Sequence, residues 1–191
     1  MDSIISLTGK DFGIIAINTS YVNSIIVARP DLNKFVEIGK NKILTVTGYP
    51  GDVVQFADFI HKTVHFHTLK RGFVPTTHSI ANYIRTEIAE CLRKCPFFVN
   101  LILLGFDGSV GPFLYSIDYM GTLQRMDYCV QGYAAFIIFS YLNQQFQSKM
   151  NLIECLRIIR QSISLLKYRF MINQGNFLIK LINVRGSVIL V

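Results

Sequence analysis

"FVNLILLGFDGSVGPFLYSI", residues 98–117, is the stretch on which the architecture turns. Asn100 is the one polar residue from Val99 to Leu104. A strand wet on one face alternates apolar with polar, whereas a strand covered on both faces reads as a continuous apolar run. Residues 98–105 and 112–117 therefore read as interior strands joined by the turn-rich "FDGSVG". "SVILV" at 187–191 has the same two-sided character.

Working outward, the flanking segments supply the cover. Upstream, Pro75-Thr76-Thr77 opens a helix that should end near Lys94, before Pro96. Before it, Gly51-Asp52 reads as a helix start, with Asp52 as cap and Gln55 three residues on; that helix should reach about Leu69. Short strands are expected at 42–47, 34–38 and 25–28, and a hairpin of 3–8 with 12–18 around Gly9-Lys10-Asp11. Downstream come a short strand near 121–124 and a helix from Gly132 to Gln147. A further helix is capped by Asn151 with Glu154 three residues on, and Leu152, Leu156, Ile159, Ile163 and Leu166 follow helical spacing. "NFLIKLINV" and "GSVILV" close the chain as a hairpin turning at Arg185-Gly186. The order is strands, two helices, strands, two helices, strands. Two sheets face to face, each covered outside by a helix pair, satisfy it: an α+β fold built as a four-layer α–β–β–α sandwich. With no linker and no low-complexity tract, residues 1–191 read as a single domain.

Composition narrows the function. Apolar residues make up 51% and charged residues 16%, against roughly 25% charged in an average soluble domain. Such a chain has a large core, extensive subunit interfaces or a membrane. The longest uncharged stretch, Tyr128 to Ser148, carries Gln131, Asn143, Gln144, Gln145 and Gln147. Its apolar part, Tyr133 to Leu142, falls short of the roughly 20 residues a span needs, so it reads as a buried helix. Asp2 and Lys10 bracket too short an apolar run for a signal peptide, and an intracellular protein is expected. Its four cysteines show no C-x-x-C pair and should be reduced and mostly buried. The net charge of +7 is diffuse, with 11 basic and 8 acidic residues in 1–95 and 8 and 4 in 96–191, which argues against a nucleic-acid groove.

"SIIVARPDLNKFVEI", "GYPGDVVQFADFI", "VNLILLGFDGSVGPFLYSIDYMGTLQ" and "QGYAAFIIFSYL", in this order and spacing, resemble the proteasome beta subunits. The likeness runs over the whole chain and is best with the fourth beta position of the eukaryotic 20S core. It implies the N-terminal nucleophile hydrolase fold. In active members of that family a threonine begins the mature chain; its hydroxyl attacks the peptide carbonyl and its free α-amine is the general base. A lysine stabilises the alkoxide, an aspartate orients the lysine, and a serine with an aspartate–serine pair positions the amine.

On that pattern Asp2 falls where the threonine belongs, preceded by Met1 with no propeptide and no glycine to be cleaved. Asn18 replaces the lysine-orienting aspartate, Tyr133 the first serine, Phe170 the second aspartate and Asn173 the last serine; only Lys34 is kept. An aspartate cannot serve as the hydroxyl nucleophile, and an amine bonded to Met1 cannot be the base. A Met-Asp start is expected to be retained and acetylated. The degenerate positions act as one unit in the family, so their joint loss implies no catalysis.

Lys34 also reads as a buried lysine in need of a partner, and an Asp2–Lys34 salt bridge is expected. Gly48, in "TGYPG", reads either as the glycine that receives substrate backbone in active relatives or as a turn glycine before the helix. Ser3, made terminal by trimming, would sit one residue out of register with Lys34. His61 and His65 are spaced as in H-x-x-x-H metal sites, but position 62 is lysine where a zinc protease has glutamate, so they read as surface or interface histidines. Cys91 and Cys95 read as packing thiols on one helix face. No metal and no cofactor is expected.

The resemblance implies a non-catalytic subunit in a seven-membered beta ring, in contact with alpha-ring subunits, the opposite beta ring and unfolded polypeptide substrates, in cytoplasm and nucleus. Neither nucleic acid nor membrane is an expected partner. The alternatives are an active threonine or serine peptidase subunit and a nucleic-acid-binding module.

Overall fold

A computed structural model describes residues 2–23, 26–108 and 110–190. The expectations for Met1, for Ile25 in the strand 25–28 and for Val191 lie outside the described residues. In chain order the elements are β1 (Ser3–Thr8), β2 (Gly13–Asn18), β3 (Tyr21–Asn23), β4 (Ile26–Arg29), β5 (Phe35–Gly39), β6 (Lys42–Gly48), α1 (Pro50–Arg71) and α2 (Thr77–Cys91). There follow β7 (Val99–Asp107), β8 (Gly111–Ile117), β9 (Leu123–Met126), β10 (Tyr128–Gly132), α3 (Ala135–Gln145), α4 (Leu152–Arg169), β11 (Phe177–Asn183) and β12 (Gly186–Leu190).

Two five-stranded antiparallel sheets form, ordered β10-β1-β2-β11-β12 and β5-β6-β7-β8-β9, with β3-β4 as a separate ribbon. Strand alternation divides the apolar residues among three cores. Ile4, Ile15, Ile17, Ile43, Ile102, Leu104 and Leu114 meet between the sheets. Ile5, Leu7, Ile14 and Ala16, from the other face of β1 and β2, pack with Ile138, Leu142, Ile158 and Ile159 of α3 and α4. Leu44, Val46, Leu101 and Leu103 pack with Phe56, Ile60, Ile80 and Ile84 of α1 and α2. The two-sided "VNLILL" run is thus the centre of a four-layer α–β–β–α sandwich. Polar ties also join the sheets: Lys180 Nζ of β11 donates to Glu37 Oε1 of β5 at 2.5 Å, and Gln131 Nε2 of β10 donates to the Leu101 carbonyl at 3.1 Å.

The amino end is held because β1 lies inside its sheet, between β10 and β2. Termini fray unless tied down, and here both edges of the first strand are paired.

Four local readings differ from expectation. Helix α1 starts at Pro50 with Tyr49 as its cap residue, so Asp52 does not cap it. Proline suits a first helical turn because it lacks the N–H that would go unpaired there. The Asp52 carboxylate accepts instead from the Phe98 amide at 3.1 Å. The uncharged stretch begins as a strand, not a helix: β10 pairs with β1, and Gly132 takes φ +75°. Helix α3 is shorter, and only Ile138 and Leu142 of it are buried; Phe136 is 87% exposed, so it is not a buried helix. Helix α2 stops at Cys91, three residues short of Lys94, which puts Cys95 beyond the helix and exposed rather than packed. The Asn151–Glu154 capping box forms as expected, the Glu154 carboxylate accepting from the Asn151 amide at 3.1 Å.

Burial sorts the thiols. Cys129 and Cys155 are buried, and burial pushes each thiol up to about 11. A raised thiol pKa leaves little thiolate near neutrality. Iodoacetamide at pH 8 is expected to modify Cys95 first and Cys91 more slowly, leaving Cys129 and Cys155 untouched until the chain unfolds. Peptide mass mapping checks this, and early modification of Cys129 would contradict the packing. The buried thiols favour the fold below pH 9, and that contribution is lost as pH rises from 9 toward 11.

Candidate functional site

The site lies where the start of β1 meets β2 and the segment entering β5. Thr19 fixes that segment from both sides: its hydroxyl donates to the Pro30 carbonyl at 2.7 Å, and its carbonyl accepts from the Leu32 amide at 2.8 Å. Lys34 is thereby aimed back at the first strand. Its ammonium donates to Asp2 Oδ1 at 2.7 Å, to the Ser20 carbonyl at 2.7 Å and to Asn18 Oδ1 at 3.2 Å. All three protons of an ammonium have acceptors, which is what a buried lysine requires. The Lys34 and Asp2 side chains are 9% and 20% exposed, so their ion pair is largely shielded from water.

Asn18 is buried, and its side-chain oxygen also accepts from the Ser3 amide at 3.1 Å. An amide oxygen is neutral, so Asn18 positions Lys34 without adding charge, and Asp2 supplies the counter-charge. Ser3 is fully buried, with Oγ donating to Gln174 Oε1 at 2.8 Å. The Asp2 carbonyl accepts from the Tyr133 amide at 3.1 Å. This contact passes over Gly132, where an added Cβ would sit 1.9 Å from the Asp2 carbonyl oxygen.

The structure thus brings Asp2, Asn18 and Lys34 together and places the Tyr133 backbone against Asp2. It does not bring the other two sequence candidates to the lysine. The Phe170 ring packs on the Tyr133 ring at 5.6 Å, and Asn173 turns its oxygen onto the Gly175 amide at 3.0 Å. Gly48 closes β6 at φ +148°, where an added Cβ would lie 2.1 Å from the Phe98 carbonyl. Close strand packing is therefore enough to demand glycine there.

Sequence reasoning missed Ser20 and Gln174. Ser20 contributes a backbone carbonyl, which has no residue signature. Gln174 lies next to the expected Asn173, and only its burial distinguishes it.

Beside the ion pair opens a cavity of about 600 Å³ with Val36, Val46, Val53 and Ala57 among its walls, Asp2 and Lys34 at one end and His61 on its lining. Asp2, Gly48, Gly132, Tyr133 and Phe136 line a second, adjoining depression.

A double sheet sandwiched by helix pairs, with the residue entering the first strand facing a buried lysine, is the N-terminal nucleophile hydrolase fold. Residues 2–182 match the family described as "Proteasome subunit". The chain is 33% identical over 187 residues to "Proteasome subunit beta type-2" of Oryza sativa subsp. japonica, covering 98% of this chain and 88% of the relative. It is 31% identical over 194 residues to "Proteasome subunit beta type-2" of Dictyostelium discoideum, covering 100% and 97%. It is 26% identical to "Proteasome subunit beta type-4" of Saccharomyces cerevisiae, covering 97% and 95%. The chain belongs to the proteasome subunit family, on its beta-subunit side.

Proposed function

We propose that this chain is a non-catalytic beta subunit of a 20S proteasome core, at the fourth beta position, whose work in protein degradation is architectural. The observation that carries the reading is the Asp2–Lys34 pair at 2.7 Å. In active relatives a hydroxyl nucleophile faces this lysine. Here a carboxylate faces it and neutralises the charge that would stabilise an alkoxide. The hydroxyl next along the chain, on Ser3, is buried and bonded to Gln174. With Asn18, Tyr133, Phe170 and Asn173 at the remaining positions, the supporting groups that act as a unit in the family are absent in chemistry as well as in name.

The surface supports an assembled role. Phe136, Ile153, Tyr168 and Met171 on or beside α3 and α4 are strongly exposed. Large apolar side chains exposed together on this helical layer suit a face covered by neighbouring subunits. In this reading residues 1–191 act as one domain that meets beta neighbours in its ring, the alpha ring and the opposite beta ring, bordering the path of unfolded polypeptide substrates. No helix among the described residues is long and apolar enough to cross a membrane. Cytoplasm and nucleus are the compartments that suit this role.

Size-exclusion of a native extract tests the proposal. The chain is expected to elute with a very large particle, and Asp2→Thr is expected to add no peptidase activity to it. A chain found as a free monomer would contradict the architectural role. Activity gained from that single substitution would contradict the joint loss of the supporting groups.

A further inference from the structure

We propose that His61 and His65 form a binding site for a borderline divalent transition-metal cation of the zinc or nickel class, on an exposed stripe of α1 at the rim of the cavity. Residues four apart on a helix project from the same face. Here both histidines are exposed, and their rings lie parallel, 1° apart in plane with centroids 6.4 Å apart. The helix that carries them is rigidly seated: Phe56, Ala57, Ile60 and Val64 are buried in the core, with Ala57 one turn before His61 on the same stripe. A pair of imidazoles on a fixed helix is partly organised before the ion arrives.

The neighbouring charges do not compete for the position. Lys62 lies between the two histidines in sequence, but its ammonium is held by the Asp58 carboxylate at 2.6 Å. His67, the third histidine of the run, faces elsewhere, with its ring edge-on to Tyr83 at 6.1 Å. The donor set is therefore two imidazole nitrogens, a set suited to zinc, nickel or copper(II) and poor for calcium or magnesium. Zinc–nitrogen bonds of about 2.0–2.1 Å require the two rings to swing toward each other, which exposed side chains are free to do. The described residues offer no third ligand, so water or an anion completes the coordination. Lysine at position 62, where the H-E-x-x-H proteases carry their glutamate base, separates this pair from that motif. Because His61 also lines the cavity that reaches Asp2 and Lys34, a bound cation would add positive charge at that cavity's border.

Equilibrium dialysis of the native assembly against zinc chloride, followed by metal analysis, tests this. Assemblies carrying His61→Gln, His65→Gln or both are compared with the unmodified protein at the same free zinc. Each single variant is expected to hold one ion fewer per copy of this chain, and the double variant no fewer than either single one. His67→Gln is expected to bind as the unmodified protein does. Unchanged zinc in either single variant, an additive loss of two ions in the double variant, or an equal loss in His67→Gln would overturn the proposal.

Discussion

Lys34→Met is expected to destabilise the fold by about 3 kcal/mol, the scale of breaking a shielded ion pair from one side. Three acceptors lose a donor at once: the Asp2 carboxylate, the Ser20 carbonyl and the Asn18 side-chain oxygen, which keeps the Ser3 amide. The carboxylate is the costliest, because it stays charged with water largely excluded. Adding Asp2→Asn to Lys34→Met should recover much of the loss, since it removes the unpaired charge. The exposed Lys62–Asp58 pair is the control, its side chains 73% and 55% exposed. Breaking it should cost under about 1 kcal/mol. Amide hydrogen exchange at Ser3 to Leu7 is the readout. A Lys34→Met chain with unaltered protection there would mean that the lysine has no structural part.

Gly132→Ala is the second large effect. Its backbone has φ +75°, which a side chain strains, and the new Cβ would stand 1.9 Å from the Asp2 carbonyl oxygen. That oxygen belongs to the backbone and accepts from the Tyr133 amide, so neither partner can move without opening the β1–β10 ladder. The expected result is loss of the folded subunit, or a destabilisation above about 3 kcal/mol, combining left-handed strain with overpacking. Gly51→Ala marks the contrast. Nothing lies within 4 Å of a Cβ there, and in the first turn of α1 alanine should be neutral or stabilising by up to about 1 kcal/mol. Recovery of each variant in the assembled particle ranks them, and equal recovery would contradict the tight crossing at Gly132.

Much of this was legible in the sequence, for identifiable reasons. Two-sided apolar runs report burial on both faces, so "VNLILL" carried the layer count. The Asn151–Glu154 box marked the start of α4 because capping chemistry is local. Lys34 called for a counter-charge, and the family resemblance put Asp2 opposite it. What escaped depends on tertiary context. Tyr128–Gly132 is uncharged, as a helix entry also is; its pairing with β1 is set by residues over 100 positions away. Asp52 had the chemistry of a cap, but Pro50 starts the helix earlier and the Phe98 amide takes the carboxylate. Phe170 and Asn173 were placed by register alone, and side-chain direction is not a property of register. The Ser20 carbonyl was invisible because every residue has one.

If the Asp2 carboxylate stands where a nucleophile would have to stand, this subunit takes up no electrophile. Incubating the native assembly with an electrophile directed at N-terminal threonines, then measuring the mass of this subunit, should return an unmodified chain in an assembly whose active subunits are labelled. A covalent adduct on Asp2 or Ser3 would mean that the site still holds a working nucleophile.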